Sequence, residues 1–233
     1  LNYSMKKLLL LLLILSTSIA HNLTWQLTGR SHSELDWKTI KSENFRVHYH
    51  QGLENIAQKG LSYAEQIYPT LLKQSGIKST PIMDIIFTSE DEILNGFAVW
   101  TNQTFIWVDQ NDAAVWLEDG KWLYQVLAHE LQHLIYFNAV DTWLPEPFGM
   151  IYSDVPSWFV EGLAEYMTEK WRPYRGELYH KIHAYKGKMM SMGDPHMDGY
   201  SKLLLLANDY GDSSIVKILN HNFDGCFLYI YQF

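Results

Sequence analysis

The chain has 233 residues, of which 47% are hydrophobic and 19% charged, and this composition excludes a disordered protein. Its formal net charge of −8 gives it no electrostatic attraction to nucleic acid. It has one cysteine, Cys226, which excludes an internal disulfide. The length is sufficient for one sizeable domain, or a two-lobed one, with its own core.

The N-terminal stretch "MKKLLLLLLILSTSIA" is typical of an export signal, with two lysines, an apolar run from Leu8 to Leu15 and small residues at its end. The apolar run is short for a bilayer span, so a retained anchor is the weaker interpretation. We predict a signal peptide over residues 1–20, starting at Met5, and a periplasmic or extracellular mature protein without a stable membrane span. Loss of the two lysines leaves 16 basic and 26 acidic residues, a net charge of −10.

The first half of the mature chain has the periodicity of strands and one helix. "ENFRVHYH", residues 43–50, alternates apolar and polar positions as a half-buried strand does. Apolar residues at helical spacing over residues 53–74 predict a helix that Gly76 ends. Residues 81–89 predict a second, mostly buried strand, and residues 96–110 predict two strands joined by a turn.

The second half reads as mostly helical. A long helix is predicted over Lys121 to Asn138, and Asp141 to Ser157 forms a loop of unusual length, which in compact domains tends to be functional. The next helix has Ser157 as its predicted N-cap. Further along, "YSKLLLLANDYG" predicts a helix closed by Gly211, and another helix is predicted to begin at Asp212.

The segment "LAHELQHLIYF" contains the pattern His-Glu-x-x-His within the long helix. Positions four apart in a helix share one face, so the imidazoles of His129 and His133 can bind one ion. Glu130 would lie beside a metal-bound water and can take its proton as a general base. The alternative is a helix with coincidental surface histidines.

A carboxylate on the following helix completes the candidate site. Catalytic zinc takes three protein ligands and leaves a fourth position open. Glu161 lies in the apolar run "WFVEGLA", where an unpaired charge would be costly, and we predict that it is the third ligand. Glu165, one turn further along the same face, can accept the free ring N–H of a ligand histidine, or it is a solvated acid.

The pairing of "HELQH" with "WFVEGLAEY" resembles the gluzincin metallopeptidases, in particular the peptidase MA-like group, which is related to thermolysin and aminopeptidase N. In that family the third ligand is the glutamate of a W-x-x-E-G-x-A motif. The resemblance implies that His129, His133 and Glu161 bind Zn²⁺ and that Glu130 is the base. Glu165 falls on the family's second-shell acid.

The resemblance covers roughly residues 45–220 and includes the order of elements before the HExxH helix. Three features depart from the family. The interval between His133 and Glu161 is longer than in thermolysin or the aminopeptidases. No "GAMEN"-type signature precedes the helix, which favours an endopeptidase. The chain ends in "CFLYIYQF", so we expect a C-terminally truncated catalytic domain over residues 21–233.

The remaining candidates carry less signal. Tyr200 is the candidate for stabilising an oxyanion, as a tyrosine does in related enzymes, or it is a packed tyrosine at a helix start. The strand around Phe105 to Val108 is the candidate sheet edge, where an extended peptide can add as a strand. His180 and His183 are interpreted as surface residues, and His196 gives no signal.

Together these features predict an α+β fold, a zincin-like two-lobed metallopeptidase domain. A small mixed sheet and the HExxH helix form one lobe, and a mainly helical C-terminal lobe carries Glu161. The predicted function is zinc-dependent hydrolysis of peptide or protein substrates. The alternatives are an exported zinc-binding scaffold without catalysis and a non-peptide amidase or esterase. Glu130 argues against the scaffold, since a structural site needs no base.

Overall fold

A computed structural model describes six stretches of the chain, residues 34–89, 94–108, 120–140, 156–171, 175–187 and 194–220. The predicted signal peptide, most of the predicted loop between Asp141 and Ser157, and the aromatic tail lie outside these stretches. All the strands and helices described below belong to one compact unit, Trp37–Phe233.

The strands form one five-stranded mixed sheet: β1 (Trp37–Lys41), β2 (Phe45–His50), β3 (Met83–Thr88), β4 (Asn95–Val99) and β5 (Gln103–Trp107). The order across the sheet is β1-β2-β3-β5-β4. The inner pairs β2–β3 and β3–β5 are parallel, whereas the outer pairs β1–β2 and β4–β5 are antiparallel. The mixed sheet that the sequence predicts is therefore present.

Six helices accompany the sheet in the described stretches: α1 (Glu54–Ser75), α2 (Trp122–Ala139), α3 (Ser157–Thr168), α4 (Arg175–Tyr185), α5 (Pro195–Tyr210) and α6 (Ser213–Asn220). The fold is therefore mixed α+β, as predicted. Within the same stretches, no helix combines the length and the apolar character that a bilayer crossing requires.

Local sequence accounts for the first elements. Phe45, Val47 and Tyr49 alternate along β2 and are all buried, as their period of two predicts. Helix α1 ends at Gly76 in the left-handed conformation, with φ of 73°, as its glycine predicts. Between β4 and β5 the chain turns through Asn102, which has φ of 65°.

Helix α2 joins two hydrophobic clusters. The first cluster packs α1 and α2 against β2, β3 and β5, and its members on α2 include Leu123, Leu127 and Leu131. The second cluster packs α3, α5 and α6 around Tyr136, near the C-terminal end of α2. Because hydrophobic clusters pack against α2 on two sides, its orientation is fixed. The side chains of α2 that lie between the two clusters therefore have little freedom to move.

Two helix starts differ from the sequence prediction. Pro156 occupies the N-cap position of α3, so Ser157 is the first helical residue and no side chain caps this end. Pro156 fixes the backbone dihedral angle φ just before α3, and it has no backbone N–H that would need a hydrogen-bond partner there. Helix α5 begins at Pro195, five residues before Tyr200, and the side chain of Asp194 accepts a hydrogen bond from a backbone N–H of its first turn.

The edge of the sheet is also different. The segment around Phe105 to Val108, predicted as the edge, contains β5, which pairs with both β3 and β4. In the described residues, β4 has only β5 as a strand neighbour and is the edge beside α2. Strand β1 on the opposite edge was not predicted, because its sequence "WKTIK" is largely exposed and lacks the apolar alternation of a half-buried strand.

We expect Leu127→Ala to lower the free energy of unfolding by about 3 kcal/mol, because it removes a fully buried side chain from the core beneath α2. The control is Leu205→Ala on α5, whose side chain is 62% exposed. That change should cost no more than about 0.5 kcal/mol. Urea unfolding followed by tryptophan fluorescence measures both, and equal losses would contradict the placement of α2.

A candidate metal site between helices α2, α3 and α5

Three donor atoms from two helices form a nearly equilateral triangle. The Nε2 atoms of His129 and His133 are 3.2 Å apart. Oε2 of Glu161 lies 3.4 Å from the first nitrogen and 3.2 Å from the second. Metal–ligand bonds of about 2.0–2.1 Å in tetrahedral geometry place neighbouring donor atoms about 3.3 Å apart. The triangle therefore has the dimensions of one face of a tetrahedral metal site.

Helix geometry accounts for this arrangement. His129 and His133 are one turn apart on α2 and share a face, as the sequence predicts. Glu161 projects from the neighbouring helix α3. The side chains of both histidines are largely buried, whereas that of Glu161 is 30% exposed, so the triangle is accessible to solvent from the side of the carboxylate.

The electrostatics of the triangle suit a cation. Burial lowers the pKa of His129 to about 4, although the hydrogen bond with Glu161 opposes the shift, so this imidazole is neutral at pH 7. Burial disfavours the charged form of Glu161, but hydrogen bonds from His129, His133 and His196 outweigh it and hold the pKa of that carboxyl well below its usual range. A neutral imidazole beside an ionised carboxylate is a donor set that a divalent cation favours, and the cation would replace the Nε2 protons that the metal-free histidines direct at Glu161.

Glu130 is the next residue after His129 on α2, and its side chain lies against the edge strand β4. Its side chain is buried against the edge strand, where the backbone N–H of Ala98 donates a hydrogen bond to it. A Cβ on Gly96 would lie 2.5 Å from Cγ and Oε1 of Glu130, so only glycine leaves space for the carboxyl group here. Burial raises the pKa of Glu130 to about 7, near the pH at which a general base works best.

Glu165 lies on the other side of the His129 ring. Its Oε1 is 3.7 Å from Nδ1 of His129, and its side chain is buried. This distance is longer than a hydrogen bond. Glu165 faces the ring nitrogen that the triangle does not use, and its role as the acid that orients a ligand histidine stays a prediction.

His196, to which the sequence analysis gave no role, is the functional candidate that it missed. Nε2 of His196 lies 3.1 Å from Oε2 of Glu161, and its ring stacks on that of His129 at 5.7 Å between centroids. Nδ1 lies 3.4 Å from Oδ1 of Asp194. The signal was present in the order Asp194-Pro195-His196, since an aspartate followed by proline is typical of a helix start and places the histidine in the first turn.

Tyr200, predicted to stabilise an oxyanion, lies one turn after His196 on α5. Its ring is 6.2 Å from that of Tyr166, and it lines a cavity of about 530 Å³ between α1, α3, α5 and α6. None of the three triangle residues lines this cavity. The structure thus brings His196 to the carboxylate of Glu161, and the oxyanion role of Tyr200 stays a prediction.

Two overlapping sets of side chains have donor atoms within 4.8 Å of one another in the described residues. The first set is His129, His133 and Glu161, and the second is His129, Glu165 and His196. Both contain His129, so they form one site and not two. The first set has the tetrahedral spacing, whereas the second surrounds the other side of the His129 ring.

Comparison of the sequence with models of protein families and with curated proteins finds no match. Among solved structures, an aminopeptidase N family protein from Idiomarina loihiensis is similar, with a TM-score of 0.48 and 10% sequence identity. The similarity covers 86% of this chain and 44% of that protein, so the chain spans less than half of its length. We therefore infer function from the geometry of the site.

The raised pKa of Glu130 has a consequence for stability. In the unfolded chain this carboxyl titrates near its ordinary value of 4.5, whereas in the folded protein it titrates near 7. The folded state therefore holds the proton more tightly, and the associated stability is complete below about pH 4.5 and is lost as the pH rises through about 7. We expect metal-free wild-type protein to lose about 3 kcal/mol relative to Glu130→Gln between about pH 4 and about pH 8.

The measurement is urea unfolding of both metal-free proteins at several pH values. His129 also titrates in this range, but it is present in both proteins, so the difference between the two curves reports Glu130 together with its coupling to the neighbouring titratable groups. Parallel pH profiles for the wild type and Glu130→Gln would contradict the burial of an ionisable carboxyl group at this position.

Proposed function

We propose that this chain is a zinc-dependent metallopeptidase. One observation carries the proposal: the donor atoms of His129, His133 and Glu161 have the spacing of a tetrahedral face, and the buried carboxyl group of Glu130 is close enough to interact electrostatically with His133 and Glu161. Two imidazoles and one carboxylate are a donor set that catalytic zinc uses, with the fourth position left for water or substrate.

In the proposed mechanism the metal would act as a Lewis acid and Glu130 would transfer the protons. Zn²⁺, when bound, supplies a Lewis acid that polarises the scissile carbonyl and makes water more acidic. Glu130 then takes a proton from the attacking water and delivers it to the leaving amine. In the metal-free protein burial raises the pKa of this carboxyl group to about 7, so its environment lets it both accept and return a proton. Gly96 and Ala98 keep this group in place.

His196 is the group best placed to stabilise negative charge on the substrate. Its Nε2 is 3.1 Å from an oxygen of Glu161, so this nitrogen directs its N–H towards the site as a hydrogen-bond donor. Oδ1 of Asp194 lies 3.4 Å from the opposite ring nitrogen. A hydrogen-bond donor aimed at the point where an oxyanion develops stabilises the transition state more than the ground state. Tyr200 would take this role only if its ring turned away from Tyr166.

The edge strand β4 supports an extended peptide as the substrate. Within the described stretches, β4 pairs on one side only, and Glu130 contacts it through Gly96 and Ala98. A peptide that adds to such an edge brings its carbonyl groups close to the base. We place the substrate between a sheet lobe, β1–β5 with α1 and α2, and a helical lobe, α3–α6, in a zincin-like arrangement. This arrangement favours cleavage within a peptide. The N-terminal stretch typical of an export signal supports an exported protein.

The test combines metal analysis with hydrolysis of a peptide library by the purified chain. We expect one zinc per chain in the wild type, and loss of zinc in Glu161→Ala. Glu130→Gln should keep its zinc and lose on the order of 10²- to 10⁴-fold in kcat, because it removes only the base. The control is Glu54→Gln, which changes an exposed carboxylate outside the site.

The outcomes separate the proposal from its alternatives. A folded wild type without zinc would contradict the metallopeptidase. Zinc without hydrolysis of peptides, but with hydrolysis of simple amides or esters, would indicate an amidase or esterase on the same site. Zinc with no hydrolysis at all, and no effect of Glu130→Gln, would indicate a zinc-binding scaffold.

Gly96→Ala tests the position of the base separately from its chemistry. The new Cβ would displace the Glu130 carboxyl group, because the three atoms nearest to it all belong to the Glu130 side chain and none belongs to a metal ligand. We expect kcat to fall on the order of 10²-fold, since small misplacements of a catalytic group have effects of that size. Zinc content should not change. Full activity in a folded Gly96→Ala protein would contradict the role of this contact.

A further inference from the structure

We propose that Gly162 and Gly199, where helices α3 and α5 cross, are positioning residues that hold His196 against the carboxylate of Glu161. Their role is to let the two helix backbones touch at this point. The catalytic consequence rests on the proposed function, whereas the geometric consequence can be measured without any turnover.

The crossing leaves no space for a side chain on either helix. A Cβ on Gly162 would overlap Cα and the carbonyl carbon of Gly199 and would lie 2.8 Å from its carbonyl oxygen. A Cβ on Gly199 would overlap the carbonyl oxygen of Trp158 and would lie 2.7 Å from Cα of Gly162. All these neighbours are backbone atoms, which cannot rotate away as a side chain can. Any other residue must therefore push the helices apart.

The crossing is adjacent to the two groups that it would position. His196 precedes Gly199 by three residues on α5, so the two share a face of that helix. Glu161 immediately precedes Gly162 on α3. A displacement of α5 at the crossing is thus passed within one turn to the 3.1 Å distance between Nε2 and Oε2. An increase of about 1 Å would take this distance beyond hydrogen-bond length.

Other contacts between α3 and α5 are made by side chains, which can adjust. Leu163 and Leu203 belong to the same hydrophobic cluster, and the Lys202 ammonium lies 4.5 Å from the centre of the Trp158 ring. Such contacts tolerate small shifts by changing rotamers. The glycine pair is a hard contact between backbones, so it sets the closest approach of the two helices.

Helix propensity also indicates that Gly162 and Gly199 are needed for a reason other than helix stability. Glycine is the least favourable residue after proline in a helix interior, and alanine would be better in both helices if helix propensity were the only consideration. A glycine retained inside a helix indicates close backbone approach or function. Here the close approach is present, and the groups beside it belong to the candidate site.

The test measures binding of acetohydroxamate to the Co²⁺-loaded protein, followed by the visible spectrum of the cobalt. We expect this small chelator to place an oxygen within hydrogen-bond reach of Nε2 of His196, which lies 3.1 Å from Oε2 of Glu161. We expect Gly199→Ala and His196→Gln each to weaken binding about 10-fold, the effect of losing a hydrogen bond to a charged group. The double variant should be no weaker than either single variant, because both remove the same interaction. Co²⁺ content should stay at one per chain.

Two further variants serve as controls. Gly162→Ala acts on the same crossing from the opposite helix and should weaken acetohydroxamate as Gly199→Ala does. Gly60→Ala is the matched control, since it lies inside α1 and the three atoms nearest to its Cβ would all belong to the ring of Phe87, in the other hydrophobic cluster. It should leave the affinity unchanged.

Several results would overturn the inference. Wild-type affinity in a folded Gly199→Ala protein would do so, as would single-variant losses that multiply in the double variant. Failure of both alanine variants to fold would also overturn it, because the pair would then be a requirement of folding and not of His196 placement. A wild type that binds no Co²⁺ would overturn the proposed function and this inference with it, whereas an unchanged affinity in the loaded variant overturns this inference alone.

Discussion

A single carboxylate oxygen organises the centre of this molecule. Oε2 of Glu161 lies within 3.4 Å of Nε2 atoms from His129, His133 and His196, which come from two helices other than its own. An ionised group in a partly buried position is stable only if such donors compensate it. Helices α2, α3 and α5 must therefore meet at this point. The two hydrophobic clusters that share α2 and the glycine contact between α3 and α5 provide the packing that brings them there.

The same small region holds two carboxyl groups in opposite states. Glu161 is surrounded by imidazoles and stays ionised, whereas Glu130 is buried against the edge of the sheet and its pKa rises to about 7. Environments that push two titratable groups apart in this way are typical of sites where one group binds and the other transfers protons. Burial alone does not decide which of the two carboxyl groups is ionised, because both groups are desolvated. The number of hydrogen-bond donors that face each carboxyl group decides it.

Residues that depend on local spacing were predictable from the sequence. The histidine pair follows from the helical period, the inward face of β2 from alternation, and the end of α1 from Gly76. Residues that depend on neighbours from distant segments were not. Nothing near His196 in sequence shows that α5 crosses α3, and nothing in β5 shows that β4 covers its outer side. Periodicity reports which face is buried, but it does not report which segment lies against that face.

The most direct test of the central claim is X-ray absorption at the zinc edge of the purified, zinc-loaded protein. We expect a tetrahedral first shell of nitrogen and oxygen donors at about 2.0–2.1 Å, two of them imidazoles, with one imidazole lost in His133→Ala. A shell of six oxygen ligands, or a spectrum that His133→Ala leaves unchanged, would contradict a metal held by His129, His133 and Glu161.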